Sequence, residues 1–509
     1  MRRTLSSYPV PETQYFERVL RHAPDSLAQL IAVTSAGLPP VRDLGSKGLG
    51  LYTPGALLDA AWVSLARGRD RQPPATSADL RQILDLYLAL DDPVTRDPEG
   101  MERWTGYLQR TAHHQGPWQD DPYAQLSRSI AMLDQTPYPD DTDNPLEVIL
   151  PGWDQELLGC SLADYLGIAQ LVWACATGHP NPRRRGRFAL DWYPGEDYDQ
   201  FDGLRSPAQV KAVLNQHFVT TKRKLRAAFP ADSDPLVRRY THNPLRSRPL
   251  VGGVPGGYLV PVPAAVLGKA TPLGLYYTGG DNRSVWGNGF TNDLGKLFER
   301  YVGRQLDLLP DAEIHPEILV KISRRESRKT IDFFVVFPDL VLLVEVKSYR
   351  PSERLRLGGP DFTTLLARQF ETSFNQINKS VLLLRDGGHQ ELAGIPADRP
   401  MLGMVVTMEP FHQINTPAHR VALPTTEIPV LVTSIGELED AVIITGTSLA
   451  DLLRAAYDAE AVYLSQLFPQ YEFLEHNAVL EQGWSAIPFA RPRRPRDQED
   501  HAAESGSTG

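Results

Sequence analysis

The chain has 509 residues, enough for two to four units of about 100–200 residues each. Its apolar fraction is 42%, ordinary for globular protein, and 62 acidic against 52 basic side chains leave a formal charge of −10. This balance excludes a chain that coats polyanions over its whole surface, while a local basic footprint remains compatible with it.

The first residues, Met1-Arg2-Arg3-Thr4-Leu5-Ser6-Ser7, carry no apolar signal core. No apolar run in the sequence reaches the ~20 residues that span a bilayer. A cytoplasmic protein with no membrane partner is expected. Residues 12–230 read as mostly helical. Ser77 is the expected N-cap of a helix whose stripe is Leu80, Ile83, Leu84, Tyr87 and Leu88. Ser161 opens a second, strongly apolar helix running to Ala174, and a third is expected from Pro207 to about Phe229. Cys160 and Cys175 are too few for a disulfide framework or a four-cysteine zinc site, so free buried thiols are expected. His113-His114 lacks ligand spacing and reads as surface; Gly45-Ser46-Lys47-Gly48 lacks the phosphate-loop pattern. Residues 1–235 thus form a mostly α-helical region of unknown role, able to meet a protein partner or a second copy. Two basic runs, Arg183-Arg184-Arg185-Gly186-Arg187 and Lys222-Arg223-Lys224, are weighed as added nucleic-acid contacts against plain solvated surface.

Residues 236–287 read as a connector holding a β-hairpin, Pro249-Leu250-Val251 and Gly257-Tyr258-Leu259-Val260 around Gly252-Gly253. Residues 288–436 then run helix, strand, strand, strand, helix, strand, strand. The helices are expected at 293–306 and 362–384, the latter capped by Asp361, and the strands at 317–322, 330–337, 340–347, 401–408 and 430–433. This predicts an α/β core, a mixed sheet of four to five strands flanked by helices. A helical extension at 437–487 follows, with a helix at 449–467, and residues 488–509 form a tail expected to be disordered.

Chemistry concentrates in Leu340-Val341-Leu342-Leu343-Val344-Glu345-Val346-Lys347. Such an apolar run suits a strand covered on both faces. Glu345 and Lys347 are two apart and share one face. The preceding strand, Ile331 to Phe337, also holds one acid, Asp332, and Pro338-Asp339 between them reads as a turn. If those two residues form the loop, Phe337 opposes Leu340, and counting back places Asp332 opposite Glu345. Opposed residues share a sheet face. Two close carboxylates repel unless a proton or a cation intervenes. Oxygen-only ligands favour Mg²⁺ or Mn²⁺ over zinc, and a neighbouring ammonium suits phosphodiester hydrolysis.

The run Thr330-Ile331-Asp332-Phe333-Phe334-Val335-Val336, followed by Val344-Glu345-Val346-Lys347-Ser348, resembles the PD-(D/E)XK nuclease superfamily, restriction-endonuclease-like and NERD-type members in particular. The resemblance covers about 150 residues, one domain. It implies that Asp332 and Glu345 bind the metal, that Val346 adds its main-chain carbonyl and that Lys347 positions the attacking water. Asp332 follows Ile331 rather than Pro, so Pro338-Asp339 is not the family's Pro-Asp pair. Glu299 borders the apolar stripe of its helix, with Gly295 and Gly303 four residues away on either side leaving space around it. The resemblance makes Glu299 a helper at the metal and Gln376 the glutamine that points to the site. Lys321, Arg324, Arg325, Arg328 and Lys329 lie in a loop between core strands, where they could grip a phosphate backbone. The expected activity is Mg²⁺-dependent endonucleolytic cleavage, with DNA as default substrate, in defence against foreign DNA. Two alternatives stand beside it. One is a catalytically inactive nuclease-fold module that binds nucleic acid or a protein partner. The other is a helical half that works as an interaction scaffold, with the nuclease domain as its effector.

Overall fold

The computed structural model describes residues 9–490, apart from 41–42, 97–100, 119–120, 140–142, 182–183, 193–199, 205, 231–232, 281–285 and 360. Most of the expected disordered tail, and Arg183 of the first basic run, lie outside the described residues.

The N-terminal region is α-helical, as the apolar spacing predicts. Helix Ser77–Leu88 buries Leu80, Ile83, Leu84 and Tyr87. Its cap is Thr76 rather than Ser77: the Thr76 hydroxyl accepts from Asp79 N, and the Asp79 carboxylate accepts from Thr76 N. Ser161 does cap helix Leu162–Gly178, and Cys160 and Cys175 are free and buried. The single helix expected at 207–229 is broken. Pro207–Val213 passes through a π-turn at Leu214–Phe218 into a short strand, Val219–Thr220, and restarts at Lys222–Ala227. The β-branched run Val219-Thr220-Thr221 favours extended backbone, and Thr221 caps the new start. That strand pairs with Leu250–Val254, so the expected hairpin sits inside a four-stranded sheet. His113 and His114 are not surface residues. The His113 ring packs 4.8 Å from that of His412, His114 meets Tyr87 and Tyr240, and burial lowers both imidazoles.

The α/β core begins with α1 (Gly287–Leu306) and continues through β1 (Glu313–Pro316), β2 (Leu319–Lys321), β3 (Ser327–Lys329), β4 (Phe333–Phe337) and β5 (Leu340–Lys347). Then come α2 (Phe362–Asp386), β6 (Met401–Thr407), β7 (Val430–Ser434) and α3 (Ile435–Ala441). The five-stranded mixed sheet has the order β7-β6-β5-β4-β1. β5, β6 and β7 run parallel, while β4 and β1 are antiparallel to their neighbours. β5 is therefore central. Leu342 and Val344 join the apolar cluster of α1, whereas Val341 and Leu343 join that of α2. The Pro338-Asp339 turn closes with Phe337 opposite Leu340, and the pairing runs back to Phe333 opposite Val344, as the sequence requires.

Two strand expectations change. Residues 319–321 leave the core and pair with 327–329 in a separate two-stranded arm, and the strand expected at 330–337 is present as β4 but begins only at Phe333. Ser327, Arg328 and Lys329 are exposed and have no face to bury against the core. The chain returns to the sheet where Thr330 Oγ1 accepts from Ile318 N and Ser380 Oγ accepts from Ile331 N. The edge of the main sheet is instead β1. Asp361 stands at the N-cap of α2, but its side chain makes no capping bond and pairs with Arg354. The helix expected at 449–467 stops at Asp458, because Glu460 adopts a left-handed φ of 49°.

The largest apolar cluster runs from Leu126 through helix Leu162–Gly178, α1 and the sheet to Ile487, so the helical region and the sheet share core. A buried polar knot crosses the same junction. Arg128 donates to both oxygens of Glu439 at 2.6 and 2.5 Å, and Tyr301 donates to Glu439 Oε1 at 2.6 Å. Among the described residues, no helix is long and apolar enough to cross a membrane.

Candidate functional site

β5 carries its polar residues only at the end. Side chains alternate, so Glu345 and Lys347 emerge on the face of Val341 and Leu343, the face covered by α2. Glu345 is fully buried and Asp332 is 7% exposed, while Lys347 keeps 20% of its side chain in solvent. Asp332 is the residue just before β4, one register step beyond the Phe333–Val344 pair. Its carboxylate extends the ladder: Oδ2 accepts from Val346 N at 2.6 Å. The expected juxtaposition of Asp332 and Glu345 is thus present, with a side chain replacing the last main-chain partner. Lys347 Nζ pairs with Glu345 Oε1. Apart from Lys347, neither Glu345 oxygen has a hydrogen-bond partner among the described residues.

Glu299 comes from α1. Gly295 and Gly303 do not leave the space the sequence suggests. A Cβ at Gly295 would meet Ser348 Oγ at 3.2 Å, and one at Gly303 would meet the Phe333 ring at 3.1 Å. The two glycines instead let α1 lie close to the residues that follow Lys347 and Asp332. Glu299, one helical turn from each, is thereby held beside those strand ends.

The charges respond to this crowding. Burial raises the Glu345 carboxyl to about 8, with the Asp332 charge adding to it and Lys347 offsetting it in part. Burial raises Glu299 to about 7, helped by Asp332 and Glu317. Asp332 is also raised, by burial against the pull of Lys347 and the Val346 N–H. For Lys347, burial disfavours the ammonium, but Glu345 and Asp332 outweigh it and the net shift is upward. Shifts of this kind, produced by burial plus a specific charged partner, mark functional sites more often than ordinary surface.

The other expected residues sit as follows. Val346, between Glu345 and Lys347 in sequence, is buried and lends its N–H to Asp332. Gln376 is half-buried on α2, and no hydrogen bond ties it to Asp332, Glu345 or Lys347 among the described residues. Lys321, Arg324, Arg325, Arg328 and Lys329 are all exposed on the β2–β3 arm rather than in a loop between core strands. Arg328 pairs with Glu326 at 2.7 Å, and Lys329 with Glu317 at 2.8 Å.

Two residues escape the sequence reading. Glu317 follows β1, whose Pro316 pairs with Phe333, so one register step further on it comes opposite Asp332. Its charge raises both Asp332 and Glu299. Recognising residues 313–316 as the edge strand would have exposed it. Ser373 is fully buried on α2 with an unpartnered hydroxyl, between Phe370, which meets Tyr349, and Ser380, which meets Ile331. Its place on the helix stripe facing the sheet was the available signal.

Among the described residues, no group of three or more His, Cys, Asp or Glu side chains is set to hold a metal ion. No family description, no curated protein and no solved structure matches this chain.

Proposed function

We propose that the chain is a metal-dependent nuclease of the PD-(D/E)XK kind that hydrolyses phosphodiester bonds, with DNA as its default substrate. One observation carries this reading: Asp332, Glu345 and Lys347 converge at the end of the central strand, and Glu345 is buried with no donor but Lys347. A buried carboxylate so poorly satisfied is costly unless a proton or a cation joins it. The donors fit Mg²⁺ or Mn²⁺, which need only one or two carboxylates and complete their shell with water and substrate phosphate. Asp332 and Glu345 would hold the ion with the Val346 carbonyl, and Glu299 would support it. A bound cation supplies Lewis-acid polarisation of the phosphoryl group and lowers the pKa of water. Lys347, still partly exposed, donates to and orients the attacking water and offsets charge on the phosphate. Glu299, raised to about 7, exchanges a proton readily near neutral pH. Attack on phosphorus breaks the P–O3′ bond and leaves a 5′-phosphate and a 3′-hydroxyl. The exposed cations of the β2–β3 arm would track the backbone. The helical region would recognise the target, a partner protein or a second copy, and defence against foreign DNA is the role proposed by analogy.

A second reading has an observation of its own. The lack of a three-ligand group among the described residues, taken alone, favours a module that grips nucleic acid or a protein without cutting. A Mg²⁺-dependent cleavage assay on several nucleic acids separates the two. Product formed by wild type supports the first; binding without product supports the second.

The raised Glu345 also predicts a cation and pH signature. Its ordinary value is 4.5 and its folded value about 8. Between these the unfolded chain has lost a proton that the folded chain keeps, so this contribution to stability, full below 4.5, is lost as pH rises through about 8. A cation on the ionised pair offsets that loss. Added Mg²⁺ or Mn²⁺ is therefore expected to raise Tm, by about 2.7 kcal/mol of stability at a hundredfold Kd. The rise should be clearly larger near pH 8 than near pH 5.5, and Glu345→Gln should abolish the difference. Equal melting curves with and without cation at both pH values would remove the cation site.

A further inference from the structure

A cavity of about 560 Å³ lies between the helical region and the segment that follows β5. Its volume falls in the range of about 300–1,000 Å³ usual for small-ligand sites. Three guanidiniums from distant parts of the chain line it: Arg246, ahead of the hairpin, and Arg350 and Arg356, just beyond Lys347. Among the described residues none of the three has an ion-pair partner. Arg356 donates to the Tyr277 hydroxyl at 2.9 Å, and Arg350 lies 3.7 Å over the Tyr276 ring. Arg246 lies 5.0 Å over the ring of Trp118, whose indole Nε1 is buried with no acceptor among the described residues. Lys269 adds a fourth cation, while Glu353 and Glu409 are the carboxylates among the described residues of the wall. Four cations thus face two anions.

Gathering half-buried arginines with fewer carboxylates than cations around them is unfavourable. Burial, and then the charge of Arg356, pushes Arg246 down to about 10. An anion would relieve this repulsion. Guanidinium forks suit phosphate oxygens, and ring walls suit a flat group.

We propose that this cavity binds a small phosphorylated ligand carrying a flat ring, the chemistry of a nucleoside phosphate. Arg246, Arg350 and Arg356 take the phosphate, and Trp118 and Tyr277 flank the ring. The inference is independent of whether Glu345 and Lys347 catalyse cleavage.

Calorimetric titration of the full chain in EDTA, with adenosine triphosphate as probe, tests it. One molecule per chain is expected to bind. Adenosine and inorganic triphosphate, each lacking half the recognition, should bind about ten-fold more weakly or worse. Arg246→Gln and Arg350→Gln should weaken the nucleotide by about ten-fold or more at an unchanged melting temperature. If either variant melts early, Arg350→Lys, which keeps the charge and loses the fork, should still weaken binding. No nucleotide binding, or equal affinity in every folded variant, overturns the proposal. So does preferential capture of a single-stranded oligonucleotide through the same arginines, which would make the cavity part of a polynucleotide track.

Discussion

Lys347→Ala and Asp332→Ala are each expected to lower Mg²⁺-dependent cleavage by about 10²–10⁴-fold, the usual weight of one positioned acid–base or electrostatic group. The two losses should differ in kind. Lys347→Ala removes the ammonium that orients water and pairs with Glu345. Without it the buried Glu345 carboxyl is driven further toward its neutral form, so the pH at which activity appears should move upward. Asp332→Ala removes a cation ligand and the acceptor for Val346 N. It should therefore weaken Mg²⁺ affinity as well as rate. Circular dichroism should show the same fold in all three proteins, since the register of β4 and β5 rests on their apolar residues. Cleavage equal in wild type and both variants would remove Asp332 and Lys347 from the reaction. Nucleic-acid binding without product in all three would leave the binding-module reading standing.

The second large effect concerns stability. Glu439→Ala is expected to destabilise the protein by about 3–5 kcal/mol, because it removes the carboxylate that Arg128 pairs with in the interior. Arg128 has 10% of its side chain exposed and donates to both oxygens of Glu439. The same change removes the acceptor of the Tyr301 hydroxyl. Tyr301 is two residues from Glu299 on α1, so the substitution should also loosen the helper acid. Urea unfolding measures the loss. The double variant Arg128→Met with Glu439→Leu should recover much of it, since an apolar pair removes the need to desolvate two ions. A loss below about 1 kcal/mol in the single variant would show that solvent reaches the knot and pays for it.

The core pairing was legible because it is local. β4 and β5 are joined by two residues, and their apolar alternation fixes which side chains share a face. The capping error at Thr76 was equally local: Thr76 and Ser77 are both good caps, and the reciprocal bonds with Asp79 select between them. The β2–β3 arm was misread because a β-rich run gives no sign of which sheet it joins. Only its exposed, charged side chains in space show that it leaves the core.

Sequence by itself therefore determined the α/β class, the helical N-terminal region, and the approach of Asp332 to Glu345 and Lys347. Tertiary structure decided the rest: Glu317 beside Asp332, the closeness of α1 through Gly295 and Gly303, the Arg128–Glu439 knot and the arginine-lined cavity. The reason is chain separation. A tight turn and a two-residue alternation carry their geometry in adjacent residues, whereas contacts between elements that no tight turn joins depend on how whole layers pack.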